Sequence, residues 1–341
     1  MTLFEQITSI DNLFASWKAF RSGKRAKFDV QRFERNLETE LFALRDDLQA
    51  QRYRHGSYQP FTITDPKLRH IHKATVRDRI LHHAFYRVLY PIFDSTYIYD
   101  SYSCRIGKGT HAAVRRLERF TWKVSQNYTR PCWVLKCDIR KFFDSVDHNR
   151  LLDLLFRRVT DERTRRLLNE IVGSYTVSQR ERERERARGI PIGNLTSQLF
   201  ANVYMNKFDQ FAKHQLRAKH YLRYTDDFIF LDQDLGALQQ LIPLVQQFLG
   251  DSLRLQLHPQ KVEVRKLTQG IDFLGYVVLP HHRVLRTRTK RRMLLRVSEL
   301  NLPSYVGLLE HCNGFKIQER ITALAQQRGE ECTGLQVQEW F

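Results

Sequence analysis

The sequence lacks the features that mark membrane and secreted proteins. No apolar run reaches the length of a membrane span. The first residues, Met1-Thr-Leu-Phe-Glu-Gln, have no basic region ahead of an apolar core, so no signal peptide is visible and we expect a cytoplasmic protein. The five cysteines are an odd number and form no CxxC pair, which argues against a disulfide framework or a zinc site. We expect buried free thiols instead.

Acidic residues are few compared with basic ones. The chain has 56 Lys and Arg against 37 Asp and Glu, a net charge of +19. Such a surplus favours a polyanionic partner, with nucleic acid ahead of an anionic membrane surface, because no amphipathic or lipidation signal supports the membrane. With 341 residues and 42% hydrophobic content, the chain is long enough for two or three subdomains and a sizeable core.

Two adjacent acids interrupt the apolar and aromatic stretch Tyr221-Leu-Arg-Tyr-Thr-Asp-Asp-Phe-Ile-Phe-Leu231. The flanking residues favour strand, whereas Asp favours turns, so the stretch predicts a β-hairpin with Asp226 and Asp227 at its tip. Two carboxylates at one tip repel each other, and Mg²⁺ relieves that repulsion by binding one or two carboxylates plus substrate phosphates. The alternative is a solvated turn that happens to hold two acids.

A third acid follows another predicted strand, Trp133 to Cys137. Asp138 lies near the end of this strand, where its side chain could complete the site begun by the hairpin. A helix N-cap is the competing interpretation of Asp138. Three acids on two β elements suit two-metal phosphoryl chemistry, and in a basic protein they favour a nucleotidyl transferase. The acids alone would also suit a metal-dependent nuclease.

The remaining sequence predicts a mixture of helices and strands. Residues 1–50 have leucines at helical spacing, residues 58–73 suggest a short hairpin or an extended arm, and Thr75 to Leu89 has apolar residues every four positions. Further predicted elements are a helix from His111 to Trp122, a helix pair over 151–172, a loop from Gly189 to Gly193 before a helix starting near Leu195, a helix from Leu235 to Leu249, strand–turn–strand over Leu253 to Val264, a hairpin over Ile271 to Val278 and a helical tail from about residue 283. The alternating charges of Ser178–Arg188 predict a solvated loop or a frayed helix.

The tail also carries a dense basic run. Its members are Arg283, Arg286, Arg288, Lys290, Arg291, Arg292 and Arg296, with no acid among them. Five of these residues, Arg286, Arg288, Lys290, Arg291 and Arg292, are predicted to contact nucleic-acid phosphates rather than only solvent.

The order of these segments resembles that of reverse transcriptases over most of the chain. The matching segments are Arg77-Asp-Arg79, Ser103 to His111, Asp138 to Phe143, Gly189 to Asn202, Tyr224 to Asp227, Lys261 and Phe273-Leu-Gly275. The resemblance implies an α+β, right-hand polymerase fold. Residues 1–130 would form N-terminal helices and fingers, 131–280 the palm with part of the fingers inserted around 150–190, and 281–341 a helical thumb.

The resemblance also implies roles for single residues. Asp138, Asp226 and the Ile139 carbonyl would bind two Mg²⁺ ions with the help of Asp227. Phe143 matches the steric gate that rejects a ribose 2′-hydroxyl, and Lys261 matches the lysine thought to protonate the leaving pyrophosphate. The other positions that match nucleotide-binding residues are Lys67, Arg69, Arg105, Ile192 and Gln198. Partners would be dNTPs, template RNA, the cDNA primer and their hybrid.

One difference from the family's usual motif indicates a particular subfamily. Relatives similar to group II intron reverse transcriptases carry Pro-Gln-Gly where this chain has Pro191-Ile-Gly193, followed by Asn194-Leu-Thr-Ser-Gln198. This resembles the reverse transcriptases of diversity-generating retroelements, which misincorporate opposite adenine and work with a small basic accessory protein. The Ile192 side chain cannot hydrogen-bond to the nascent base pair as a Gln side chain could, so the geometry of that base pair would be checked less tightly.

Three alternatives compete with that interpretation. A reverse transcriptase of a retron or another cell-defence system is one, and a group II intron-like enzyme of ordinary fidelity is another. The third is a non-catalytic RNA-binding protein descended from such a polymerase, which would keep the basic surface but lose acids. All three acids are present, which argues against it.

Overall fold

The computed structural model of the protein describes residues 1–64, 68–177 and 187–338, with side chains as far as residue 328. Helices and antiparallel strands alternate along these ranges, which confirms the α+β class. Lys67 lies outside the described residues, as does most of the alternating-charge stretch Ser178–Arg188.

Helices open the chain, as the leucine spacing predicted. They are α1 (Leu3–Thr8), α2 (Ile10–Arg21), α3 (Phe28–Arg35) and α4 (Leu37–Gln49), and they are followed by the long α5 (Val76–Asp94) and by α6 (Thr110–Val124). Leu41, Leu44 and Leu48 are buried because their spacing places them on one face of α4. The predicted hairpin between α4 and α5 is confirmed as β1 (Gln59–Ile63) and β2 (Arg69–Lys73).

A four-stranded antiparallel sheet lies at the centre of the protein. Its strands are β3 (Trp133–Cys137), β4 (Tyr221–Tyr224), β5 (Asp227–Asp232) and β6 (Glu263–Lys266), in the order β4-β5-β3-β6. Alternate side chains of β3 and β5 enter two different hydrophobic cores: Leu135 and Phe230 pack with the N-terminal helices, and Val134 and Ile229 pack on the opposite face.

Helices cover the sheet on both sides. Between β3 and β4 come α7 (Phe142–Ser145), α8 (His148–Phe156), α9 (Glu162–Gly173) and α10 (Leu195–Gln210), which continues into a π-helical turn, Phe211–Gln215. Helix α11 (Leu235–Leu253) follows β5 and is longer than predicted.

The structure corrects the sequence prediction in two places. Leu253 ends helix α11 instead of starting a strand, because Arg254 adopts a left-handed conformation that terminates the helix (φ 52°) and residues 254–257 form only an isolated bridge, Ile139 to Leu257. The predicted hairpin β7 (Ile271–Phe273) and β8 (Tyr276–Leu279) gains a third strand, β9 (His282–Leu285), where the helical tail was expected to begin. The tail helices are α12 (Thr287–Arg296), α13 (Leu302–Leu309) and α14 (Phe315–Gln338).

The four cysteines whose side chains are described are free thiols, as predicted, and two of them, Cys132 and Cys137, are buried. Among the described residues, no helix combines the length and the apolar character needed to cross a lipid bilayer.

Candidate active site

The strand register brings the three acids to one end of the central sheet. Cys137 pairs with Phe228, so Asp138 and Asp227 are the next residues beyond that pair. Tyr224 pairs with Asp227, and the two-residue turn between β4 and β5 consists of Thr225 and Asp226. The predicted hairpin is therefore confirmed, and all three acids line one cavity of about 660 Å³.

The acids repel one another. Burial, together with the negative charges of Asp227 and Asp138, raises the pKa of Asp226 to about 7 from its ordinary value of 3.8. The ammonium group of Lys261 forms an ion pair with Asp138, with Nζ 2.9 Å from Oδ2. The three carboxylates repel one another when they ionise, so the site is suited to a bound cation.

Two hydrogen bonds hold the turn that carries Asp226. Thr225 has a left-handed backbone (φ 56°), and its hydroxyl donates to the Ser103 hydroxyl at 2.6 Å. The Arg223 guanidinium donates to the Thr225 carbonyl oxygen at 2.9 Å. Ser103 comes from the loop before α6, so that loop and the hairpin are joined directly beside the acids.

A buried ion pair lies beneath the hairpin, and sequence reasoning missed it. Arg223 and Asp209 are both fully buried, with Nη2 to Oδ2 at 2.7 Å and Nε to Oδ1 at 2.8 Å. Asp209 also accepts a hydrogen bond from the Tyr221 hydroxyl at 2.6 Å, and Arg223 donates to the Ser101 hydroxyl at 3.0 Å. A charged residue in a strand with two buried faces was the signal that could have revealed it.

A short backbone pairing holds the segment that carries Asp138. The His258 N–H donates to the Asp138 carbonyl at 2.8 Å, and the Arg140 N–H donates to the Gln256 carbonyl at 2.9 Å. These bonds flank the pair Ile139–Leu257, and neither of them uses the Ile139 carbonyl, the predicted metal ligand.

The glycine loop before α10 forms another wall of the cavity. Gly193 has φ 114°, and a Cβ there would lie 2.9 Å from Ile71 Cγ2, so a side chain would be strained at this position. The Ile192 carbonyl accepts from the His72 N–H at 3.2 Å, and the Phe143 carbonyl accepts from the Ile190 N–H at 2.8 Å. These bonds tie the loop to the β1–β2 hairpin and to α7.

Most of the predicted site residues lie together. Besides the acids, the residues predicted from the sequence that line the cavity are Arg69, Ile139, Phe143, Ile192, Gln198 and Lys261. Asn202, one helical turn after Gln198, also lines the cavity but is buried, and its amide donates to the Ser103 carbonyl at 2.8 Å.

Arg105 is not brought into the cavity. Its guanidinium lies 2.6 Å from Asp94 Oδ1 and donates to the carbonyl oxygens of Ile98 and Ser101 at 2.7 and 3.1 Å. Its side chain is only 9% exposed, so it braces its own loop. Arg77 and Arg79 form ion pairs with Asp47 and Asp29 at 2.6 and 2.7 Å.

The basic run of the tail lies apart from the cavity. Arg286 precedes α12, and its guanidinium forms an ion pair with Asp272. Arg288 and Arg291 are exposed on α12, while Lys290 and Arg292 are half-buried. Arg286 therefore joins β7 to the tail, whereas Arg288 and Arg291 are exposed on α12.

The acids suit a hard divalent cation although they form no complete cage. Among the residues that the structure describes, no group of three or more His, Cys, Asp or Glu side chains is arranged to hold a metal ion. Mg²⁺ characteristically takes one or two carboxylates and completes its octahedral shell with water and substrate phosphates. Asp138 and Asp226, with the charge crowding described above, fit that partial set.

Comparison with known proteins identifies one family. Residues 63–278 match the family described as reverse transcriptase (RNA-dependent DNA polymerase). Protein YkfC of Escherichia coli is 27% identical over 295 residues, covering 74% of this chain and 73% of its own length. The group II intron-encoded protein LtrA of Lactococcus lactis is 23% identical, covering 70% of this chain and 49% of its own length.

A solved structure of telomerase from Candida albicans, in complex with a fragment of telomeric RNA, has a TM-score of 0.49 and 14% identity. The similarity covers 86% of this chain and 58% of that chain. This chain thus spans a little over half of the telomerase chain and about half of the intron-encoded protein.

Proposed function

The chain belongs to the reverse transcriptase (RNA-dependent DNA polymerase) family, and we propose that it copies a template RNA into cDNA by two-metal nucleotidyl transfer, with frequent errors opposite adenine. The right-hand polymerase fold follows from the family and from the α+β architecture. Within it, we assign residues 1–130 to the N-terminal helices and fingers, 131–280 to the palm and 281–341 to the thumb.

The observation that carries the catalytic proposal is the meeting of Asp138, Asp226 and Asp227 at one end of the sheet, in a cavity that Lys261 and Phe143 share. We assign Asp138, Asp226 and the Ile139 carbonyl as metal ligands, supported by Asp227. Two Mg²⁺ ions, when bound, would activate a primer 3′-hydroxyl and offset charge on the triphosphate. Mg²⁺ binding needs Asp226 ionised, and the pKa of about 7 makes that step sensitive to pH near neutrality.

Other residues of the chain would bind and orient the nucleotide. Arg69 is exposed on β2 at the cavity wall and is suited to contact the triphosphate. The Phe143 ring packs edge-on against Phe142 at 5.4 Å, and we assign it the exclusion of a ribose 2′-hydroxyl. Lys261 holds Asp138 in the ligand-free protein and would deliver a proton to the leaving pyrophosphate once nucleotide is bound.

The error-prone part of the proposal depends on Ile192. It lines the cavity at the point where the glycine loop meets the β1–β2 hairpin, and its side chain offers no hydrogen bond to a nascent base pair. We therefore propose that the protein belongs to a diversity-generating retroelement. It would work in the cytoplasm with template RNA, a cDNA primer and a small basic accessory protein.

Primer extension on a defined RNA template tests both parts. The reaction contains Mg²⁺ and all four dNTPs, with and without the candidate accessory protein, and the cDNA is sequenced by template base. The double variant D226A/D227A should abolish synthesis but leave RNA binding largely intact, since Lys and Arg residues provide that binding. Retained synthesis would contradict the metal assignment.

The variant I192Q should lower the error frequency opposite adenine, because a glutamine amide can hydrogen-bond at the pair. An unchanged error spectrum in I192Q would count against the role of Ile192. Faithful cDNA from the unmodified chain would instead support a group II intron-like enzyme of ordinary fidelity, the alternative that similarity to the L. lactis intron protein favours.

A further inference from the structure

The side-chain amide of Asn194 is buried without a hydrogen-bond partner among the described residues. The residue is 2% exposed, and neither Nδ2 nor Oδ1 has a partner. Asn194 is the N-cap residue of α10, yet its side chain makes no capping bond. A buried amide left without partners destabilises a protein, and such groups are rare unless they serve a ligand or bind water.

The location of this amide points to the ligand. Asn194 lines the same cavity as the three acids and lies two residues after Ile192. Ile192 offers no hydrogen bond, so Asn194 is the residue of this loop wall with both a free donor and a free acceptor among the described side chains.

The backbone around Asn194 is fixed on both sides. The Ile192 carbonyl accepts from the His72 N–H at 3.2 Å, and the Thr196 hydroxyl is 2.7 Å from His82 Nδ1. Thr196 is 1% exposed and His82 is 2% exposed, so this bond is shielded from water. Asn194 therefore lies on a loop–helix junction with hydrogen-bonded residues on both sides of it.

An exposed polar side chain follows in the first turns of the helix. Gln198 is four residues after Asn194, and its side chain lines the same cavity. The Asn194 amide atoms are covered in the structure, so a bound nucleotide reaches them only when neighbouring side chains move.

We propose that Asn194 is a nucleotide-binding residue whose amide hydrogen-bonds the incoming nucleotide once the side chains that cover it have moved. The inference deepens the proposed function and rests on it.

The test compares two asparagines of one helix. N194L removes both hydrogen-bonding groups and keeps the number and branching of the side-chain heavy atoms. N206L is the matched control, because Asn206 lies on the same helix and has partners: its amide donates to the Thr96 hydroxyl at 3.3 Å and accepts from Gln210 at 3.2 Å. Binding of dNTP is measured in a ternary complex on an RNA template with a dideoxy-terminated primer, which gives affinity without chemistry.

We expect N194L to weaken dNTP binding about tenfold, with a melting temperature equal to or above that of the unmodified protein, because an unpartnered polar group has been removed. N206L should show the opposite result, a lower melting temperature with unchanged dNTP affinity. Equal dNTP affinity of N194L and the unmodified protein overturns the inference alone.

Failure of the proposed function gives a different result. In that case the unmodified protein itself forms no ternary complex and extends no primer, and the inference falls with the function. A stable complex of the unmodified protein, together with weaker dNTP binding by N194L at an unchanged melting temperature, supports both the function and the inference.

Discussion

Replacing Asp226 with Asn should stabilise the protein above neutral pH when no divalent metal is present. The pKa of Asp226 is raised from 3.8 to about 7 by burial and by the charges of Asp227 and Asp138. Each tenfold change in proton affinity corresponds to about 1.4 kcal/mol, so the ionised carboxylate destabilises the folded state by about 4 kcal/mol at most. Asp226 is only half-buried, and local relaxation reduces this further, so we expect D226N to gain about 1–3 kcal/mol.

The sign of the pH dependence follows from proton linkage. Between pH 3.8 and about 7 the folded chain retains a proton on Asp226 that the unfolded chain has lost. The free energy of unfolding of the unmodified protein therefore falls as pH rises through this window, and the full penalty is present above it. D226N has no such group, so its advantage should widen from about pH 5.5 to about pH 8 and be near its maximum there.

Urea denaturation in EDTA at these two pH values measures the difference. D251N serves as the control, because Asp251 is an exposed acid on α11 and its replacement should have little effect. Adding Mg²⁺ at pH 8 should stabilise the unmodified protein but not D226N, since a ligand that binds only the folded state raises its stability. If D226N is no more stable than the unmodified protein at pH 8, the acids do not destabilise one another and the electrostatic basis of the metal site is lost.

Three further substitutions test other parts of the site. F143A should raise incorporation of ribonucleotides relative to deoxyribonucleotides about 10- to 100-fold, measured as the ratio of the two kcat/KM values, because the ring would no longer exclude the 2′-hydroxyl; an unchanged ratio would contradict its role. K261M should lower kcat about 100-fold with little change in the KM for dNTP, if the ammonium group donates a proton. Loss of nucleotide binding alone in K261M would argue for a positioning role instead. D209N should lower the free energy of unfolding by about 3–5 kcal/mol in urea denaturation, because it leaves the Arg223 charge buried without its partner; a change below about 1 kcal/mol would show that this pair matters little.

The sequence predicted the strands of the site well because a change in residue type marks where each strand ends. The β4–β5 hairpin and strand β3 are bounded where apolar, β-forming residues give way to Asp, and the structure places them there. The antiparallel register then brings Asp138 beside Asp227. The functional residues predicted on these elements, together with Phe143 and Lys261, line one cavity for that reason.

Other features of the structure depend on contacts between residues that are distant along the chain, and no local sequence pattern reveals such contacts. Leu253 has the apolar neighbours of a strand residue, but it is fully buried at the end of α11, where tertiary packing outweighs strand propensity. The nucleotide-binding role of Arg105 stays a prediction, but the sequence did not reveal that Asp94, eleven residues earlier in the chain, holds its guanidinium. The amide of Asn194 could be recognised as unpartnered only after its surroundings were known.

The two-sided burial of the central sheet has a consequence for how the protein folds. Val134 and Ile229 share one core with Met293, Leu309 and Ile321 of the tail helices. A chain shortened to the family match at residue 278 would lose these three residues and expose the part of the core against which they pack, an apolar surface that promotes aggregation. The tail helices thus complete the core of the catalytic sheet, and the two regions should unfold in one cooperative transition.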